Sequence, residues 1–186
     1  MRFDKILILV GLLQLSSVTA GQELATQDPN KVKAAFLRNF AHYVTWPEKA
    51  FADASSPWRV CVLGRDPFGE VLDKTLAGRT ERGRPFEVSR AETLGELPAC
   101  QIIYVTYADP GERRATLAAL KNRPVLTVGD TADFLSEGGM IRFQVKERVE
   151  ISINLDRARS ASLLIQTKML EVSYQVLEDG ILHTLR

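Results

Sequence analysis

Along residues 31–45 apolar side chains recur at helical spacing. Val32, Phe36, Phe40 and the Tyr43/Val44 pair form one stripe, while Lys33, Arg38 and His42 are left to reach water. Asp28 before Pro29 supplies an N-cap and a first-turn proline. Pro47 biases Trp46 away from helical geometry, so the pattern predicts a helix that stops near Thr45. Beyond a polar loop over 48–57, residues 58–63 (WRVCVL) form a β-rich run. A glycine-containing turn over 64–69 leads it into a helix over about 68–77. Residues 78–85 read as a basic loop, 86–90 as a strand, 92–97 as a short connecting helix and 100–107 (CQIIYVTY) as a continuous apolar strand. Asp109-Pro110 caps a helix to about Lys121 with Leu117 and Leu120 inward. Residues 124–129 make a further buried strand, and 130–137 a short helix ending at Gly138-Gly139.

The period then changes. Ile141, Phe143 and Val145 alternate with Arg142 and Gln144; Val149, Ile151, Ile153 and Leu155 alternate with Glu150, Ser152 and Asn154. Alternation on both sides of Lys146-Glu147-Arg148 predicts an antiparallel hairpin with one buried face. Asp156 is placed to cap a long final helix to about Leu177, with Ala161, Leu164/Ile165, Met169 and Val172 inward and Gly180 as its stop. Residues 181–186 read as a tail. The order of elements predicts an α/β protein, a three-layer α/β/α sandwich with a mixed, mostly parallel sheet and an antiparallel hairpin at one edge.

The N-terminus alters this picture. Arg2 and Lys5 precede the apolar run of residues 6–13, and Val18-Thr19-Ala20 suits a small-residue cleavage rule. Residues 1–20 therefore read as an export signal, too short to span a bilayer comfortably, and 21–186 as a single domain whose first residues, 21–28, are polar and loosely ordered. Cleavage removes Arg2, Lys5 and Asp4 and turns the formal charge of +1 into a balanced one. Nothing electrostatic then points to nucleic acid or an anionic membrane. The chain has two cysteines, Cys61 and Cys100, and in an oxidising compartment an even pair reads first as a disulfide.

Residues that carry chemistry are sparse. His42 and His183 have no second ligand at i±3 or i±4, and a zinc site needs three or four convergent groups. The amides of Gly64–Gly69 can face an anion, but the stretch lacks the Gly-Lys-Ser/Thr of a phosphate loop. There is no Gly-x-Ser-x-Gly elbow. Neither catalysis nor a cofactor is expected. Lys74, Arg79, Arg82 and Arg84 form a basic stretch diluted by Asp73, Glu81 and Glu87. Gly64, Arg65, Thr106 and Tyr107 end two predicted parallel strands, where α/β folds open ligand clefts.

Several separated segments resemble the YfiR family of small periplasmic proteins. They are residues 33–47 (KAAFLRNFAHYVTWP), 60–64 (VCVLG) with Pro67-Phe68-Gly69, Gly78-Arg79, Cys100 leading into Ile102-Ile103-Tyr104-Val105, and 125–130 (VLTVGD). Gly138-Gly139-Met140-Ile141, Ile153-Asn154-Leu155 and the stretch 158–170 complete the series. The resemblance implies a non-enzymatic regulator that represses an inner-membrane diguanylate cyclase through its periplasmic domain, lowering cyclic di-GMP and biofilm formation. A YfiN-like cyclase and a YfiB-like outer-membrane lipoprotein would be its partners. Cys61 and Cys100 match the pair whose disulfide supports the family's fold. Some members carry a second pair, where this chain has Leu135 and Arg142.

The hairpin and the last helix are the candidate contact surface, through Arg142, Gln144, Glu150 and Arg159. A homodimer is a further candidate assembly. The alternative class is a periplasmic small-molecule-binding module serving another membrane receptor. If the export reading holds, the intact mass of the protein recovered from the periplasm corresponds to a chain starting at or near Gly21. Recovery of the uncleaved chain in membranes would refute it.

Overall fold

The computed structural model describes residues 28–185. The predicted export signal and the residues up to Gln27 lie outside the described residues. In chain order the helices and strands are α1 (Pro29–Tyr43), β1 (Val44–Thr45), β2 (Trp58–Leu63), α2 (Glu70–Leu76), β3 (Thr80–Glu81), β4 (Arg84–Ala91), β5 (Ile102–Val105), α3 (Pro110–Ala119), β6 (Leu126–Gly129), β7 (Ile141–Val145), β8 (Val149–Asn154), α4 (Leu155–Ser160), β9 (Leu164–Ile165), α5 (Thr167–Glu171), β10 (Gln175–Glu178) and β11 (Ile181–Thr184).

Nine strands form one sheet in the order β11-β10-β8-β7-β6-β5-β2-β4-β3, and β1 pairs with β9 in a separate two-stranded ribbon. From β4 through β7 every pairing is parallel. The central strands have both faces buried, which is why their sequences run apolar without alternating. Val60 and Val62 of β2 face the core under α1 and α2, while Cys61 and Leu63 face a second core with Leu117 and Leu120 around α3. The fold is therefore an α/β sandwich with a mixed, mostly parallel sheet between helical layers.

The hairpin β7–β8 forms in the expected phase, from Ile141 opposite Ile153 to Val145 opposite Val149. It does not end the sheet. β10 adds parallel to β8 and β11 antiparallel to β10, so the antiparallel edge is the β10–β11 hairpin.

Four expectations need correction. The buried face of α1 is Lys33, Ala34, Leu37, Phe40 and Ala41, about one position round from the predicted stripe, and Lys33 is inside rather than in water. Residues 130–137 form turns, not a helix. They drive the fully buried Phe134 ring against Gly129 and Gly139, where a Cβ would collide with it. The long final helix does not exist. Asn154, not Asp156, caps the short α4, Ser162 takes a left-handed φ of 60°, and β9 follows; Leu164 and Val172, read as inward, are 65% and 53% exposed. The tail is a strand, β11, held by the Asp156 carboxylate, which accepts the N–H groups of Asp179 and Gly180 at 2.8 and 2.9 Å.

Cys61 lies in β2 and Cys100 just before β5, its parallel neighbour, so the topology brings their Cα atoms to 6.1 Å and the disulfide forms. Both residues are buried. The bond closes a loop across a separation of 39 residues, which in the chain-entropy account stabilises the fold by about 4 kcal/mol. Cys61→Ser or Cys100→Ser should lose most of that in urea unfolding. A midpoint unchanged from the oxidised wild type would refute the assignment.

Candidate partner-binding surface

The start of α1 and the tip of the β7–β8 hairpin enclose an open groove of about 550 Å³. Pro29, Val32 and Phe36 make one wall and residues 145–150 the other, with Val172 and Tyr174 also lining it. Asp28 caps α1 by accepting the N–H of Asn30 at 2.9 Å, and Phe36 is braced by Phe40 and Phe143, with ring centroids 6.1 and 5.7 Å away. Val145 and Val172 are 49% and 53% exposed. The charged rim is balanced. Glu150 pairs with Lys146 at 3.4 Å and Arg148 at 3.9 Å, and the Lys146 ammonium sits 4.1 Å over the Tyr174 ring. An apolar floor inside a charged, neutralised rim is the anatomy of a protein contact rather than of a reaction centre.

A second recess, of about 340 Å³, shares Val145 with the groove and is lined by Lys33, Asp130, Ala132, Arg142, Phe143 and Gln144. The Lys33 ammonium donates to Asp130 Oδ2 at 3.2 Å, and the Tyr104 hydroxyl donates to the same oxygen at 3.0 Å. Lys33 is 8% exposed and Asp130 43%, so the carboxylate bridges a buried cation to solvent. Burial, reinforced by the Asp130 charge and its hydrogen bond, holds the Tyr104 phenol far above its ordinary range. Arg142 donates to the Ala132 carbonyl at 2.9 Å and to Gln144 Oε1 at 2.7 Å, leaving its Nε without a partner.

Of the four residues read as a contact surface, Arg142, Gln144 and Glu150 come together here, with Gln144 directly opposite Glu150 across the hairpin. Arg159 does not join them; it pairs with Glu178 and Asp179 beside the β10–β11 turn. Gly64, Thr106 and Tyr107 do meet at their strand ends. There Thr106 and Tyr107 lie so close over Gly64 that a Cβ would contact both, and they bond to the Leu63 and Glu92 carbonyls. The crevice is occupied by the chain's own side chains, with Arg65 exposed beside it.

The basic stretch serves the scaffold. Arg84 donates to the Asp53 and Ser56 carbonyls and lies 4.1 Å from the Phe51 ring centroid, Arg82 donates to the His42 carbonyl, and Lys74 pairs with Glu70. His42 meets Glu81 at 3.1 Å, while His183 is exposed on β11. Among the described residues no cluster of His, Cys, Asp and Glu is arranged to hold a metal ion. Lys33, Asp130, Tyr104 and the groove's Pro29, Val32, Phe36, Val145, Val172 and Tyr174 were not marked as site residues in the sequence.

The model of the YfiR/HmsC-like family matches residues 30–174, from the first turn of α1 to Tyr174. The chain belongs to that family. The match takes in the disulfide, the second recess, the groove except Pro29, and all of the sheet except β10 and β11.

The buried cluster makes its own prediction. Because the folded protein favours neutral Tyr104, its contribution is complete below about pH 10, the phenol's ordinary pKa, and is lost as the pH rises beyond it. In an absorbance titration one of the four tyrosines should ionise only as ellipticity is lost, and Tyr104→Phe should remove that late step. Ionisation of all four ahead of unfolding would contradict it. Asp130→Ala, which strands the Lys33 ammonium, should cost about 3 kcal/mol, and Asp130→Asn less.

Proposed function

We propose that this YfiR/HmsC-like protein is a periplasmic repressor that binds the periplasmic domain of an inner-membrane diguanylate cyclase and holds the cyclase inactive. On this reading it lowers cyclic di-GMP and is in turn sequestered by an outer-membrane lipoprotein. The carrying observation is membership of the family across the whole α1–Tyr174 region. Two features agree with it. The Cys61–Cys100 disulfide suits an oxidising compartment, and no described helix is long and apolar enough to cross a membrane.

A repressor of this kind acts by contact, and a stable contact takes about 800 Å² from each partner. The groove and the adjoining recess supply rigid walls for it, apolar at Val32, Phe36, Val145 and Val172 and polar at Arg142, Gln144 and Glu150. Contact alone is not enough. Binding must discriminate between cyclase states, since equal affinity for both shifts nothing, and moving a population from 1:99 to 99:1 takes about 10⁴-fold preference.

The alternative, a small-molecule-binding module serving another receptor, draws on the recess beside Lys33 and Asp130. The two readings part in a genetic experiment. Deleting the gene should raise cyclic di-GMP and surface attachment, and restoring the exported chain, but not one lacking residues 1–20, should reverse both. Unchanged cyclic di-GMP in a strain that carries a candidate cyclase would discard repression in favour of the module. Val145→Arg and Val172→Glu alter exposed side chains, so each should move stability by no more than about 0.5 kcal/mol. Both should nonetheless abolish capture of the cyclase's periplasmic domain; retained capture would move the contact elsewhere.

A further inference from the structure

An open parallel sheet offers ligands a crevice beyond the carboxyl ends of its strands. Between β2 and β5 that crevice is filled, because Thr106 and Tyr107 close over Gly64. Further along the sheet, beside β7, it stays open. β6 stops at Gly129, and its pairing with β7 ends at Gly129 opposite Arg142, whereas β7 runs on to Val145. The recess of about 340 Å³ is the space that β6 leaves beside the second half of β7.

The phase of the β7–β8 hairpin shows which backbone groups face that space. Asn154 donates to the Met140 carbonyl and Lys146 to the Arg148 carbonyl, so the even-numbered residues of β7 turn their backbone groups toward β8. The odd-numbered ones turn toward β6, which has ended before it reaches Val145. The Val145 N–H therefore has no partner among the described residues. Two cationic side chains add further donors. The buried Lys33 ammonium carries three protons and gives one of them to Asp130. Arg142 gives Nη1 to the Ala132 carbonyl and Nη2 to Gln144 Oε1, while its Nε is buried without a partner.

Nε and Nη2 form one edge of a guanidinium, the edge that a carboxylate takes with both oxygens at once. Gln144 has a single amide oxygen to offer and satisfies half of that edge. The lining residues also carry one uncompensated charge, since Lys33 and Arg142 face the single acid Asp130. Its Oδ2 is already shared by Lys33 and Tyr104.

We propose that this recess binds an aliphatic monocarboxylate. The carboxylate displaces the Gln144 amide oxygen and takes the Nε/Nη2 edge of Arg142, with the Val145 N–H and the spare Lys33 protons as further donors around it. Its one negative charge neutralises the site. A doubly charged phosphate would leave an excess beside Asp130, and a molecule without an acid would leave buried donors unmet. Ala132 and Phe143 line the recess beside the head, and Val145 is shared with the groove of about 550 Å³. An aliphatic tail crossing Val145 lies there against Val32, Phe36 and Val172. Both volumes fall within the range of about 300–1,000 Å³ usual for small-molecule sites. The proposal gives a ligand class to the recess on which the small-molecule reading draws, and the site itself stands whether or not the protein represses a cyclase.

The test uses the full exported chain with sodium decanoate as the probe, below the concentration at which it forms micelles. In titration calorimetry the wild type should bind one equivalent. Octanoate, two methylenes shorter, should bind about tenfold more weakly. Acetate and decyltrimethylammonium should give no measurable binding. Arg142→Gln removes the edge and Gln144→Glu fills it with the chain's own carboxylate, so each should weaken decanoate by about tenfold or more. Gln144→Ala removes the internal competitor and should tighten it. Arg142 and Gln144 are both only partly buried, so the variants should fold. A second measurement places the head without any variant: in amide-resolved NMR the Val145 N–H should shift downfield as decanoate saturates the wild type. Absence of decanoate binding would overturn the proposal, as would equal binding of decyltrimethylammonium. So would affinity indifferent to both Arg142→Gln and Gln144→Glu, or a Val145 amide that stays in place while decanoate binds.

Discussion

The packing of α1 across the sheet is the contact on which the rest of this protein depends. Ala34 and Ala41 keep the helix close, while Leu37 and Phe40 fill the space between, each worth roughly 2–3 kcal/mol of apolar burial. Phe40 stacks on Phe143 of β7 with centroids 6.0 Å apart, so the helix is keyed to the hairpin as well as to the central strands. Its ends are tied separately. Asn30 donates to the Pro67 carbonyl at the entry to α2, Lys33 reaches Asp130 at the end of β6, and Gln166 donates to both the Tyr43 and His42 carbonyls. Both recesses use α1 as a wall: Pro29, Val32 and Phe36 in one, Lys33 in the other. A shift of this helix would open or close them together.

Where local pattern and tertiary environment agree, the chain could be read directly. The central strands β2, β5 and β6 are mostly apolar on both faces because both faces are buried, and β7 alternates because its two faces differ. The C-terminal third reads badly for the opposite reason. Ala161, Met169 and Val172 recur at spacings compatible with a helix, yet Leu164-Ile165 is claimed by Val44-Thr45, a pairing far away in sequence that no window over residues 156–177 contains. Asp179-Gly180 was a legible signal of another kind. As a hairpin turn it predicts strands on both sides, which is what Gln175–Glu178 and Ile181–Thr184 form; read as a helix stop, the same glycine hides them.

The site follows the same division. Arg142, Gln144 and Glu150 were legible because alternation on a hairpin places them on one face, and they do converge. Arg159 was placed with them on the strength of one long final helix; on the short α4 it turns instead to Glu178 and Asp179. Lys33 could not be recognised locally. Its position on the helical wheel is adjacent to the apolar stripe, and what makes it a buried cation is Asp130, 97 residues away. Pairing removes the principal objection to burying an ammonium. The aromatic Tyr104 adds a second donor to the same carboxylate, so the cluster combines a charge pair with a neutral hydroxyl on one oxygen.

Tyr174 links the groove to the sheet's exposed end. Its ring lies under the Lys146 ammonium at the groove, while its N–H donates to the Ile151 carbonyl on β8 and its own carbonyl accepts from Leu185 beyond β11. One residue thus takes part in three strands' worth of structure. The polypeptide from 172 to 185 is not an appendage to a fold completed earlier. Val172 and Tyr174 line the groove, Asp156 of α4 clamps the following turn, and the returning strand locks back onto Tyr174. A contact at the groove tip therefore bears on the same short segment that carries the sheet's last strand. That is a physical reason for β10 and β11, which lie beyond the family match, to matter to the surface that lies within it.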